Sequence, residues 1–195
     1  MHPESGMPIF FDGQMIRRIR TMNADLAKML KEPEDSISIP QETLEVDRTV
    51  HVQDTWMRAV ATVMGLEVLS ERETYLRLAA QEASFELSKG TAEKLYARLP
   101  EHERSFAFST LVYPTSLMYY VTGWMKELVH ARYCIELGER DAAFDHIRKA
   151  VGICGTFRTL TYEYCSGRWT GWYNDCCKLN IYREMEGTRA LLDLE

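Results

Sequence analysis

Apolar residues recur at helical spacing along most of this chain. Ile16, Ile19, Met22, Leu26 and Met29 fall on one face, which predicts a short amphipathic helix from Ile16 to Leu30. An acid-rich loop follows from Lys31 to Asp47, holding Pro33 and Pro40. From Val50 the pattern is helical almost to the end. Val52, Trp56, Val60, Val63 and Met64 keep the rhythm until Gly65 interrupts it. Ser70 and Glu73 have the spacing of a capping box, and Glu71 to Leu99 reads as one long helix, bent near Gly90 and stopped by Pro100. Its apolar side carries Tyr75, Leu78, Ala79, Phe85, Leu87 and Leu95.

Glu101 to Val112 opens the next helix, with Pro114 at a kink or boundary. Thr115 to Leu137 is apolar on one side through Leu117, Tyr120, Val121, Trp124, Leu128, Ala131 and Ile135, and Gly138 is placed to cap it. Asp141 to Cys154 or beyond forms another helix, which Tyr162 to Cys165 extends. The pattern breaks over Gly167 to Asn180, and a last helix runs from Tyr182 to Leu194. Ser36-Ile37-Ser38-Ile39 is a weak strand signal and has few rivals. The prediction is an all-α antiparallel bundle of about five or six helices with a less regular N-terminal arm. Residues 1–50 form that arm and 51–195 the helical bundle domain.

Composition narrows the partners. A net charge of −6 argues against nucleic acid, because phosphate neutralisation needs clustered Lys and Arg. The short basic run Arg17-Arg18-Ile19-Arg20 reads as a solvated helix face. No apolar run reaches the roughly 18–20 residues of a membrane span, and no signal peptide is visible at the start. Cys134, Cys154, Cys165, Cys176 and Cys177 are odd in number and include an adjacent pair, which favours reduced thiols in a cytosol over a disulfide framework.

Candidate chemistry is sparse. Glu127-Leu128-Val129-His130 is an E-x-x-H on a helix, the spacing of carboxylate-bridged metal bundles, and Glu82 and Glu86 are available carboxylates. A second E-x-x-H is missing, so a hydrogen-bonded pair is the expected role, and no metal site or cofactor is predicted. Cys154, Cys165 and Cys176 recur every eleven residues, but Gly155, Gly167 and Gly171 are expected to break any shared helix. Buried apolar cysteines are expected instead. The histidines at 2, 51, 102, 130 and 146 show no paired spacing, and no nucleophile elbow or phosphate loop is present. No catalytic residue is assigned.

Aromatics crowd the second half, most densely in Gly167 to Asn180. Arg168, Trp169, Trp172, Tyr173 and Asn174 form a candidate glycan rim, since ring faces stack on sugar C–H faces. The alternative is that Trp169, Trp172 and Tyr173 anchor a loop onto the bundle, or line an interface.

Two stretches together carry a family resemblance. One is Ala92 to Phe108, containing Leu99-Pro100 and Arg104, followed by Leu111-Val112-Tyr113-Pro114. The other is Gly167-Arg168-Trp169, with Trp172, Tyr173, Lys178 and Asn180 beyond it. In order they resemble the helical region after the catalytic barrel in bacterial glycoside hydrolases of the xylan α-glucuronidase type, family 115. Cys176 and Cys177 depart from that pattern. The chain has no barrel, so none of the family's catalytic acids transfers to a residue here. The resemblance implies a non-catalytic accessory helical domain or C-terminal fragment, packing on a catalytic barrel in cis, contributing to a homodimer and edging a glycan site. Two other readings stand beside it. One is a stand-alone helical metal- or cofactor-binding protein using Glu127, His130 and nearby cysteines; the other is a homo-oligomeric interaction module.

Overall fold

The computed structural model describes residues 7–31, 71–164 and 181–195. Helix α1 spans Met7–Lys31, α2 Glu71–Arg98, α3 Glu101–Ala107, α4 Tyr113–Glu136, α5 Arg140–Tyr164 and α6 Ile181–Ala190. A π-helical segment, Phe108–Val112, joins α3 to α4, and a 3-10 turn, Leu191–Leu194, follows α6. No strand occurs among the described residues. The all-α bundle predicted from the periodicity is what the chain forms. The weak strand at Ser36 to Ile39 and the Ser70 end of the capping box lie outside the described residues.

Helix α4 is the axis of the bundle and packs against α5, α2 and α1. It is apolar over more of its circumference than a surface helix, with Leu117, Val121, Trp124, Leu128, Ala131 and Ile135 all buried. Each neighbour offers one stripe. Helix α1 buries Ile19, Leu26 and Leu30, and α5 buries Phe144, Ile147, Cys154 and Phe157. These join the α4 residues in one hydrophobic core.

A buried polar network fixes α1, α4 and α6 in register. The Trp124 indole N–H donates to Thr188 Oγ1 at 3.0 Å, and that hydroxyl donates to Asn23 Oδ1 at 2.9 Å. The Asn23 amide in turn donates to the Glu184 carbonyl at 3.1 Å. Asn23 and Thr188 are both buried, so every one of these groups needs its partner. An added Cβ at Gly187 would meet the Asn23 amide at 3.3 Å, so the glycine lets α6 close on α1 there.

Two boundaries differ from the sequence reading, and one agrees. Helix α1 starts at Met7, earlier than Ile16, because Pro8 falls in the first turn, where its missing N–H was not needed by the helix. The kink or boundary expected at Pro114 is present as the junction between the π segment Phe108–Val112 and α4, within a continuous helical path. Proline has no N–H to give the carbonyl four residues back, and the wider π turn accommodates the loss. Helix α5 runs straight through Gly152 and Gly155 to Tyr164, correcting the expected interruption at Gly155. A mid-helix glycine costs only about 1 kcal/mol, which the buried face of α5 outweighs. Gly167 and Gly171 lie outside the described residues.

Gly138 does cap α4. It has φ of 77°, the left-handed region. Its N–H bonds the Ile135 carbonyl at 2.9 Å and the Glu139 N–H bonds the Cys134 carbonyl at 2.8 Å, the paired bonds of a Schellman motif. The chain therefore reverses within three residues, and α5 folds back along α4. Arg140, at the start of α5, donates to the Leu30 carbonyl at 3.1 Å and the Leu194 carbonyl at 2.9 Å, tying down the ends of α1 and the C-terminal turn.

Candidate metal centre

The tight turn at Gly138 places the last turns of α4 against the first turns of α5. On α4, Glu127, His130 and Cys134 are spaced i, i+3 and i+7, which puts them on one face. On α5, His146 meets them. Its Nδ1 lies 2.7 Å from Glu127 Oε2. A carboxylate only accepts, so Nδ1 carries the proton and donates it, leaving Nε2 with a free lone pair. The His130 and His146 rings are 3.8 Å apart centroid to centroid, and the Tyr75 ring from α2 lies 4.4 Å from His130. His130 Nδ1 is buried without a hydrogen-bond partner. A buried, unpaired imidazole nitrogen is a costly feature unless something binds there.

One ligand atom from each of His130, Cys134 and His146 lies within 4.8 Å of the others. Ligand atoms around a tetrahedral zinc ion stand about 3.3–3.6 Å apart, so the set would have to draw closer to bind one. His146 already has the outer carboxylate that metal-bound histidines use to fix ring orientation.

Charge around the cluster is organised. Burial alone would push the Glu127 carboxyl up, but the hydrogen bonds and charges of His146 and Lys126 outweigh it and hold the group below its ordinary value. Lys126 Nζ bridges Glu127 Oε1 at 3.0 Å and Glu82 Oε2 at 2.6 Å. Burial likewise favours a neutral Lys126, and its bonds to the two carboxylates reverse the effect and raise its pKa. Burial lowers the pKa of His130, with the neighbouring His146, Lys149 and Lys126 acting in the same direction. The imidazole is thus neutral near pH 7, the form that binds metal. Burial, reinforced by Glu139, pushes the Cys134 thiol up. In the metal-free chain it is a thiol, and an incoming ion displaces its proton.

Of the residues singled out in the sequence, Glu127 and His130 belong to this cluster, and Glu82 reaches it through Lys126. Cys154 is buried on the apolar face of α5, where burial drives its thiol far up, as expected of a core cysteine. Glu86 is exposed and makes no contact with the cluster. Arg168, Trp169, Trp172, Tyr173 and Asn174, and with them Cys165, Cys176 and Cys177, lie outside the described residues. His146 is the member that periodicity and motif spacing missed, and Cys134 entered only among the cysteines near His130. The i, i+3, i+7 series through Glu127, His130 and Cys134 was the signal that pointed to half of it.

No family model matches the chain, and no curated protein or solved structure matches it either. The resemblance to family 115 hydrolases accordingly rests on its sequence series alone. No helix among the described residues is long and apolar enough to cross a membrane.

Proposed function

We propose that this chain is a helical metal-binding protein, with His130, His146 and Cys134 as ligands to a divalent transition ion of the zinc class. The observation that carries the reading is the convergence of three ligand atoms within 4.8 Å across the α4–α5 hairpin. Two imidazoles and a thiolate suit zinc, cobalt or copper, whereas magnesium and calcium prefer all-oxygen sets. Three protein ligands leave one position for water or a substrate group, as in catalytic rather than structural zinc sites. An ion there would act as a Lewis acid and lower the pKa of a bound water. The chain's own residues do the rest: Glu127 orients His146, Lys126 holds Glu127, and Tyr75 shields His130 from bulk water.

The test is metal loading of the purified chain after chelator treatment. One equivalent of zinc or cobalt retained per chain is expected, by elemental analysis. The cobalt form should show a sulfur-to-metal charge-transfer band that Cys134→Ser removes. An apo protein that retains no ion, or a Cys134→Ser variant with unchanged affinity and spectrum, overturns the reading.

A further inference from the structure

One helical turn from the cluster, the same helix interface opens into a cavity of about 380 Å³. That is within the range of small-molecule pockets, roughly 300–1,000 Å³. Its walls include Glu82, Tyr119, Tyr120, Gly123, Lys149 and Ile153, and it touches the cluster only through Glu127. None of the three metal ligands lines it.

Gly123 shapes this cavity. A Cβ at that position would fall 2.5 Å from Glu82 Oε1 and 3.5 Å from Ile153 Cδ1. The bare backbone thus admits the Glu82 carboxylate to the cavity wall. Glu82 Oε2 accepts from Lys126, while Oε1 has no hydrogen bond among the described residues. A half-buried carboxylate oxygen is a strong acceptor left unused.

The aromatic wall has matching polarity. Tyr119 and Tyr120 pack edge to face at 5.1 Å, and the Lys89 ammonium stands 5.8 Å from the centroid of each ring. Both rings already attract a cation, as the negative face of an aromatic does. Burial first, then Glu82 and Glu86, raises the pKa of the Tyr119 phenol, with Lys89 acting in the opposite direction. Among the described residues three cations face the site: Lys126, already paired with Glu82 and Glu127, Lys89 beside the two rings, and Lys149, an exposed residue at the rim with no ion pair among those residues.

We infer that this cavity is a receptor for a small primary amine, whose ammonium donates to Glu82 Oε1 beside the Tyr119 and Tyr120 rings and whose apolar body lies over Gly123 and Ile153. The inference does not depend on a metal ion, because the amine contacts none of the proposed ligands.

The experiment titrates the full chain with phenethylamine and, in parallel, with 3-phenylpropanoate, a carboxylate of similar size, followed by calorimetry and NMR shifts. Saturable binding of the amine and none of the acid is expected. Glu82→Gln retains the shape and an acceptor for Lys126, and should weaken the amine about ten- to a hundredfold, the worth of one charge-assisted bond. Gly123→Ala should displace the Glu82 carboxylate and weaken it similarly, and Tyr119→Leu should weaken it less. Lys149→Gln removes a like charge from the rim and should not weaken amine binding. Circular dichroism melting checks that each variant is folded. Preference for the acid with loss in Lys149→Gln would reassign the cavity to anions and overturn the inference. So would an absence of saturable amine binding up to about 10 mM, or full amine affinity in both Glu82→Gln and Tyr119→Leu. The metal reading stands or falls separately, since its readout is ion retention.

Discussion

Glu127 shows how one side chain acquires a role that its position in the sequence does not reveal. It is only 7% exposed, yet it is ionised, because His146 and Lys126 each donate to a different carboxylate oxygen. A buried carboxylate survives only when it is paired in this way. With both oxygens occupied by donors, its contribution to a metal centre is orientation of His146 and not ligation. Glu127→Gln retains the shape and weakens the acceptor, so metal affinity should fall by about ten- to a hundredfold, as for other outer carboxylates. Competition with a chromophoric chelator measures the change; an unchanged affinity would show that His146 needs no such support. Half of this was legible. E-x-x-H at 127–130 is a local motif, and a local motif is visible as spacing. His146 is brought in by the reversal at Gly138, and a pairing made across a turn leaves no periodic trace in either helix. Cys134 was legible only as one of the cysteines near His130, because one turn beyond it a buried cysteine reads first as ordinary core.

At the scale of elements, glycine is the residue whose meaning changes most with context. Gly138 sits at φ of 77°, and α4 ends there. A Cβ in that conformation costs about 1–2 kcal/mol, so Gly138→Ala should lower stability by that amount in denaturant melts. Gly152 and Gly155 lie in the middle of α5 with nothing within 4 Å of an added Cβ. There the same substitution removes only backbone freedom from the unfolded chain, and Gly155→Ala should stabilise by about 0.5–1 kcal/mol. Opposite signs for the same change would establish that α5 is continuous through Gly155; destabilisation at both positions would argue for a break. Glycine spacing alone does not separate a stop from a pass, because the deciding factor is the apolar stripe on the far side of the helix. That stripe was legible in Phe144, Ile147 and Cys154, and giving it more weight than Gly155 would have predicted the full length. Helix α2 shows the converse error. Leu87 and Leu95 match helical spacing, yet they are 76% and 48% exposed, because the buried side of α2 runs through Leu78 and Ala92 instead. Periodicity finds a helix more readily than it finds the side that is covered.

For the whole molecule, the proposed metal lies at a seam and not at the centre. The core is complete without it: Trp124, Leu128, Phe144, Ile147 and Phe157 are buried, and the Trp124–Thr188–Asn23 network links elements far apart in sequence. The chain should consequently fold without an ion, unlike small zinc domains that are unfolded when metal-free. Binding then adds stability by mass action alone. At a free ion concentration one hundred times the dissociation constant the gain is about 2.7 kcal/mol. For a chain of this length each kcal/mol raises the melting temperature by about 2–4 °C, so a shift of about 5–10 °C is expected with zinc. Because the ion bridges α4 and α5, the hydrogen-exchange protection gained should concentrate on Glu127 to His146 and spare α1 and α6. A double variant, His130→Ala with His146→Ala, should melt as a folded protein and show no zinc-dependent shift. An equal shift in that variant would place the bound ion elsewhere on the chain, and a wild-type chain that is unfolded until zinc is added would show that the core described above does not stand alone.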